Sequence, residues 1–178
     1  MTTTTFSVPT REEVSPNNQA IFDNLQNALG FVPNLYATFA YSENALTNYL
    51  ALQNAKSSFS NKEKVAVNLV VSQINNCIYC LSAHTTIGKM NGYTDEQLIE
   101  IRKQVSSDPK LNALVQLAAE ITQTKGNANS DIVDAFFAQG YTNENLVDLI
   151  LLISEKITMN YLHNLTKIEI DFPLAPSL

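Results

Sequence analysis

The two cysteines of the chain, Cys77 and Cys80, are three residues apart, and His84 follows four residues later. Two thiols at this spacing support thiol–disulfide chemistry, in which one thiolate attacks and the second thiol resolves the product as a disulfide. Because residues three and four apart share one face of a helix, we expect His84 to lie beside Cys80 and to exchange its proton. These three residues are therefore the candidate catalytic site.

Two other interpretations of the same residues remain open. Both cysteines could be small core residues, with His84 a buried imidazole that has its own partner. They could also supply three ligands of a zinc ion, but a structural zinc site requires a fourth ligand, and His163 is the only other histidine. A disulfide across so short a loop removes little chain entropy, which disfavours a purely structural bridge. Redox catalysis without a bound metal is the preferred interpretation.

The cysteines are expected at the start of a helix. If Cys77 lies at or just before the first turn, with Asn75 or Asn76 as the N-cap, free backbone N–H groups lie next to the sulfurs. The positive end of the helix macrodipole lies there too. Such an environment lowers a thiol pKa below its ordinary value.

Helical periodicity extends over most of the chain, and few glycines or prolines interrupt it. The pattern Ser60 to Glu63 is a capping box that starts a helix with apolar residues on nearly all faces, which predicts a buried central helix. Further helices are predicted at about 16–29, 34–41, 42–57, 77–92, 94–105, 108–126, 130–140 and 142–165, with Ser42 and Ser130 as caps. Residues 1–15 are expected to form an irregular arm and residues 166–178 an extended tail. We therefore predict one all-α domain over residues 1–178.

Composition argues against several partner classes. The net charge is −6 and no cluster of lysine and arginine exists, so neither nucleic acid nor an anionic membrane surface is an expected partner. The N-terminal segment lacks the basic and apolar regions of a secretory signal. No apolar run approaches the roughly 20 residues that span a bilayer. A cytoplasmic protein is expected, and two cysteines in a reducing compartment are more often catalytic or metal-binding than structural.

Residues 70–84, followed by Gly88 to Gly92, resemble the carboxymuconolactone decarboxylase and alkylhydroperoxidase D (AhpD-like) superfamily. The similarity is strongest over residues 60–104, and the segments 31–35, 160–161 and 171–173 also look like this group. The resemblance implies an all-α, AhpD-like multi-helical domain, in which we place a buried central helix pair. It also implies assembly into a homotrimer or homohexamer.

The resemblance also implies roles for the site residues. In the peroxidase branch the second cysteine attacks the hydroperoxide and the first resolves the sulfenic acid, which by position makes Cys80 peroxidatic and Cys77 resolving. His84 would belong to the proton relay. We therefore expect a thiol-dependent hydroperoxidase, an antioxidant oxidoreductase with peroxiredoxin activity. It would hold no cofactor, but a dithiol reductant protein would have to reset it.

The chain departs from the family's pattern at the relay acid. The family usually carries a glutamate twelve residues before the first cysteine, where this chain has Val65. Glu63 lies about 200° away around the helix and fits the capping box better. Tyr79, where some members carry a histidine, could donate a hydrogen bond. Glu63 and Tyr79 are therefore only auxiliary candidates, and His163 is expected at a surface or an interface.

Two rival functions stay open. The first is a carboxymuconolactone decarboxylase-type lyase that uses His84 as acid and base, with the thiols incidental. The second is a non-catalytic redox sensor, in which a disulfide changes the packing of a homo-oligomer. The decarboxylase branch typically lacks the cysteine pair, so the pair favours the redox branch.

Overall fold

A computed structural model describes residues 6–178 of the chain, and over that range it consists of helices and loops without a β-strand. The helices are α1 (Pro16–Leu29), α2 (Asn34–Phe39), α3 (Ala45–Gln53), α4 (Asn61–Ile74), α5 (Ile78–Met90), α6 (Asp95–Arg102), α7 (Pro109–Thr124), α8 (Ser130–Ala138) and α9 (Asn143–Thr166). The all-α prediction is confirmed. No helix in the described part of the chain is both long and apolar enough to cross a membrane.

The helices belong to two compact units. One unit contains the described residues up to Ala55 together with Leu162–Asp171. The other contains Lys56–Tyr161 and Phe172–Leu178, and it holds both cysteines and His84. The candidate site therefore lies within this second unit. The assignment of residues 1–178 to a single domain stays a prediction.

The centre of the second unit is α4, which is buried without interruption from Val65 to Ser72. The helix packs against α5 and α7. At its start the hydroxyl of Ser60 accepts the N–H of Glu63, and the carboxylate of Glu63 accepts the N–H of Ser60 over 2.9 Å. The predicted capping box and the predicted central burial are both confirmed.

A glycine lets α5 approach its neighbours closely. A Cβ at Gly88 would lie 2.5 Å from Leu98 Cδ2 on α6 and 3.3 Å from Val65 Cγ1 on α4. The first distance is shorter than real Cβ contacts. The approach of α5 to α4 and α6 therefore depends on the missing side chain.

Two helix caps differ from the prediction. Asn44, rather than Ser42, precedes α3, which ends at Gln53 instead of near residue 57. Asn129, rather than Ser130, caps α8, because its side chain reaches the N–H of Asp131 over 2.9 Å. Both Asn and Ser are common caps, so composition alone does not decide between adjacent positions.

The chain ends also differ in detail. Residues 11–13 form a short 3₁₀ turn within the predicted irregular arm, and residues 1–5 of that arm lie outside the described residues. The tail has neither helix nor strand from residue 167, one residue later than predicted. In the second unit Ser82 Oγ on α5 accepts the N–H of Ala175 over 3.0 Å, and Arg102 donates to the carbonyl of Pro176 over 2.7 Å. The tail end is thereby fastened to α5 and α6.

Candidate active site

Cys77 is itself the N-cap of α5, and neither cysteine is in a disulfide. Its Sγ accepts a hydrogen bond from the backbone N–H of Cys80 over 3.3 Å. The expectation that an asparagine caps this helix is wrong. Asn75 ends α4, and Asn76 has a left-handed φ of 53°. Because both asparagines are used in the link between the helices, Cys77 is the first residue with the extended backbone that a cap requires.

The two thiols differ in acidity although both are buried. Hydrogen bonding to Cys80 and then burial raise the pKa of Cys77, so this thiol is protonated at neutral pH. Burial also opposes ionisation of Cys80, but hydrogen bonding from Cys77 and the charge of Lys156 outweigh it. Hydrogen bonding from Asn160 and Ser72 adds to this effect, and the pKa of Cys80 falls to about 7. A substantial fraction of Cys80 is therefore thiolate at neutral pH.

Asn160 on α9 connects that helix to the segment before the cysteines. Its Nδ2 donates to Ser72 Oγ over 3.1 Å, and its Oδ1 accepts from Asn75 Nδ2 over 3.0 Å. Ser72 is the last fully buried residue of α4, and its carbonyl accepts the N–H of Cys77 over 3.0 Å. Asn160 thus fixes the position of the chain on which the thiol pair depends.

Lys156 lies one turn before Asn160 on α9, and its side chain is 2 % exposed. Its Nζ lies 3.6 Å from Oε1 of Glu155, which is also buried. Lys156 and Glu155 were not among the candidate residues from the sequence, and Asn160 was noted only as part of the family resemblance. Their spacing in the sequence could have indicated burial. Leu149, Ile153, Lys156 and Asn160 follow one another at steps of four, three and four, so the two polar residues continue the face of the two apolar ones.

His84 is buried, and its Nδ1 has no hydrogen-bond partner among the described residues. Burial and then the charge of Lys156 lower the pKa of His84 well below its ordinary value, so the ring is neutral at pH 7. No hydrogen bond joins His84 to Cys80 within residues 6–178. The relay role of His84 stays a prediction. The side chain itself is a neutral imidazole at pH 7.

Val65 occupies the position at which the family usually carries its relay glutamate. It is buried and lies against α5 at Gly88, one helical turn after His84. An aliphatic side chain therefore fills the place from which a carboxylate would reach this part of α5. The partnerless Nδ1 of His84 agrees with that replacement.

The two auxiliary candidates have other roles in the structure. Tyr79 is buried, and its ring meets Phe172 edge-on at 5.7 Å between centroids. Glu63 accepts the hydroxyl of Tyr141 over 2.9 Å as part of its cap. Nine residues of helix, about 14 Å, separate Glu63 from Ser72. The structure does not bring Glu63 to the cysteines.

His163 is buried, so the expectation of a surface or interface histidine is wrong. Its Nε2 lies 3.3 Å from the carbonyl oxygen of Ile168, within the first unit. The chain after α9 covers the end of that helix, which periodicity alone does not show. This contact links the helix end to the start of the tail.

A zinc ion has no ligand set in the described part of the chain. No three His, Cys, Asp or Glu side chains among residues 6–178 are arranged to hold a metal ion. Cys77, Cys80 and His84 are therefore not such a group.

Sequence comparison shows what the segment around this site is similar to. The sequence model of the carboxymuconolactone decarboxylase family matches residues 41–123, which include α4, both cysteines and His84. The match covers slightly less than half of the chain, and these residues are similar to that family. The resemblance observed in the sequence is thereby confirmed.

One curated protein and several solved structures are similar over more than half of the chain. The uncharacterized protein YdfG of Bacillus subtilis (strain 168) is 25% identical over 103 residues, 56% of this chain and 70% of YdfG. The alkylhydroperoxidase AhpD core of an uncharacterized peroxidase-related protein from Ralstonia eutropha JMP134 has a TM-score of 0.84 and 18% identity, covering 93% of this chain and 91% of that one. A variant of the debrominase Bmp8 in complex with 2,3,4-tribromopyrrole has a TM-score of 0.77 and 16% identity, covering 96% and 93%. These structures confirm the AhpD-like fold.

Proposed function

We propose that this chain is a thiol-dependent peroxidase-like oxidoreductase, in which Cys80 reduces a hydroperoxide and Cys77 resolves the product. The observation that carries the proposal is the difference between two adjacent buried thiols. Cys80 has a pKa of about 7, whereas the pKa of Cys77 is raised. Peroxide reduction needs one ionised sulfur to attack and a second sulfur within reach to resolve.

The chemistry proceeds in three balanced steps. The Cys80 thiolate attacks the terminal oxygen of the hydroperoxide, so that the O–O bond breaks and an S–O bond forms. The leaving alkoxide takes a proton from solvent water and departs as the alcohol, which leaves Cys80 as a sulfenic acid. The sulfur of Cys77 then attacks that of Cys80 and forms the disulfide, and its proton leaves with the hydroxide as water. A dithiol reductant supplies two electrons and two protons and becomes a disulfide itself.

We also propose that the chain assembles with copies of itself, as a trimer or hexamer. On α9 the side chains of Val147, Leu151 and Tyr161 are 62%, 49% and 62% exposed and share one face. Apolar stripes of this kind are typical of surfaces that another protein covers. Light scattering of the parent and of Leu151→Glu tests this assembly, because a buried charge would dissociate it. An unchanged mass in Leu151→Glu would contradict a role for this face.

The peroxidase proposal is tested by thiol counting after a stoichiometric pulse of cumene hydroperoxide or hydrogen peroxide. In the parent we expect Cys77 and Cys80 to be lost together as one intramolecular disulfide, measured by mass spectrometry. Cys80→Ser should consume no peroxide. Cys77→Ser should stop after one turnover, with a sulfenic acid at Cys80 that dimedone traps. The proposal fails if the thiols stay unlinked and Cys80→Ser consumes peroxide at the parent rate.

The same variants separate the rival functions. A carboxymuconolactone decarboxylase-type lyase that uses His84 would keep its decarboxylase activity in Cys80→Ser and lose it in His84→Ala. A redox sensor would change its mass in solution between the reduced and oxidised forms without turning over peroxide. Because one structural neighbour is a debrominase, 2,3,4-tribromopyrrole serves as a comparison substrate. If the protein consumes that compound through Cys80 and does not consume peroxide, the bromopyrrole replaces the hydroperoxide as the proposed substrate.

A further inference from the structure

Lys156 is a buried lysine that the family's cysteine–histidine motif does not explain. Its side chain is 2 % exposed, and its carboxylate neighbour Glu155 is 4 % exposed at 3.6 Å. Removing a lysine charge from water is costly unless nearby groups compensate it. Buried charges with specific partners are concentrated at functional sites. The environment of Lys156 therefore requires an explanation.

The position of Lys156 on α9 directs it to the thiol pair. Ile153 precedes it by three residues on the buried face, and Asn160 follows it by four. Asn160 is fixed by its hydrogen bonds to Ser72 and Asn75, immediately before the cysteines. Since residues four apart on a helix lie one above the other, Lys156 faces the same part of the unit as Asn160. Its positive charge lowers the pKa of both Cys80 and His84.

The other groups around Cys80 provide no positive charge at neutral pH. On α5 and its cap, the ring of His84 is neutral and the thiol of Cys77 is protonated. From α4 the group that acts on Cys80 is the hydroxyl of Ser72. From α9 the charged groups are Lys156 and its partner Glu155. Among the described residues, Lys156 is thus the cation that acts on this sulfur.

We propose that Lys156, held by Glu155, is the positioning residue that keeps Cys80 in its thiolate form. The inference rests on the proposed function only in taking Cys80 as the reacting sulfur. At this site Val65 replaces the family's usual acid and the ring of His84 is neutral. The positive charge that stabilises the Cys80 thiolate then comes from a lysine on α9. The electrostatic support comes from a helix about 70 residues after the motif.

The test measures the ionisation of Cys80 without any peroxide. The rate of Cys80 alkylation by iodoacetamide is followed against pH by peptide mass spectrometry, alongside the ultraviolet absorbance of the thiolate. Lys156→Met keeps the length of the side chain and removes its charge, so the pH midpoint should rise by about one to three units. Lys103→Met removes a charge from an exposed position at the end of α6 and should leave the midpoint unchanged.

Lys156→Met also leaves the carboxylate of Glu155 buried beside an apolar side chain, which can destabilise the fold. The double variant Glu155→Gln with Lys156→Met removes both charges, and circular dichroism establishes that it is folded. A smaller upward shift of the midpoint is expected, because the Glu155 carboxylate that disfavours the thiolate is removed as well. A folded double variant with the parent midpoint overturns the proposal. If the midpoint rises but the parent consumes no peroxide, the inference stands and the peroxidase function fails.

Discussion

Cys77 Sγ accepts the backbone N–H of Cys80 over 3.3 Å, so one cysteine caps the helix that carries the other. The pair is therefore organised by the start of α5 and needs no disulfide to hold it. Because Cys77 satisfies one of the N–H groups that a helix N-terminus leaves free, it has a structural role besides the proposed resolving role. The two roles are separable by substitution.

Replacement of Cys77 by alanine should destabilise the protein, whereas replacement by serine should not. Alanine removes the acceptor for the Cys80 N–H, and the loss of an N-cap costs about 0.5–2 kcal/mol. Serine retains an acceptor and is a favoured cap. Both variants prevent disulfide formation, so they differ only in the cap. Urea unfolding of the reduced proteins measures the difference, and equal stability of the two variants would contradict a capping role.

Ionisation of Cys80 should make the folded state more stable as the pH rises from 7 to 9. Its pKa is about 7 in the folded protein against an ordinary value of 9.0, so the unfolded chain binds more protons in this range. The contribution is complete above pH 9, is lost as the pH falls through 7, and amounts to about 2–3 kcal/mol. Above pH 9 the raised pKa of Cys77 opposes it.

Urea unfolding of reduced parent and Cys80→Ser proteins at pH 6, 7 and 8.5 measures this contribution. Serine has a similar shape and does not titrate, so the difference in stability between the two proteins should grow in favour of the parent with increasing pH. A difference that is constant over this range would show that the pKa of Cys80 is not lowered.

Local signals explain which parts of the structure could be predicted from the sequence. The start of α4 was predictable because Ser60 and Glu63 form a pattern of adjacent residues, and the burial of α4 follows from its apolar residues on all faces. The N-cap of α5 was not predictable, because periodicity does not show how many residues link two helices. Asparagine is a favoured cap in general, but here Asn75 and Asn76 form the link.

The contribution of α9 to the site could not be predicted for a different reason. Asn160 and Ser72 are hydrogen-bonded across 88 residues of sequence, and only the folded chain brings them together. A polar residue within an apolar helix is compatible with exposure or with burial, and the choice depends on which helix packs over it. Lys156 and Asn160 were visible as interruptions of an apolar face, but their partners were not.

Asn160→Leu should both destabilise the protein and weaken the thiolate. The substitution removes the hydrogen bonds from Asn160 to Ser72 and Asn75, and the loss at the buried Ser72 costs about 1–3 kcal/mol. It also removes a group that lowers the pKa of Cys80, so the pH midpoint of alkylation should rise. Asn127→Leu on the surface is the matched control and should change neither quantity. Parent-like alkylation in a destabilised Asn160→Leu protein would limit Asn160 to a structural role.

Introduction of the family's usual acid, Val65→Glu, should raise the pKa of His84. Val65 lies against α5 at Gly88, one turn from His84, and the imidazole Nδ1 has no partner there. A carboxylate in this place favours the protonated ring, which opposes the effect of burial and of Lys156. The buried carboxylate should also lower stability by about 1–3 kcal/mol.

The titration of His84 in Val65→Glu can be followed by NMR, because the chain contains only two histidines and His163→Gln assigns the other ring. Val65→Gln is the matched control, because glutamine has nearly the same shape as glutamate but no charge. It should leave the pH midpoint of the His84 titration low. If Val65→Glu titrates like Val65→Gln, a carboxylate at position 65 does not act on the ring. In that case the family's relay geometry does not apply to this chain, and Lys156 becomes the principal charge at the thiol pair.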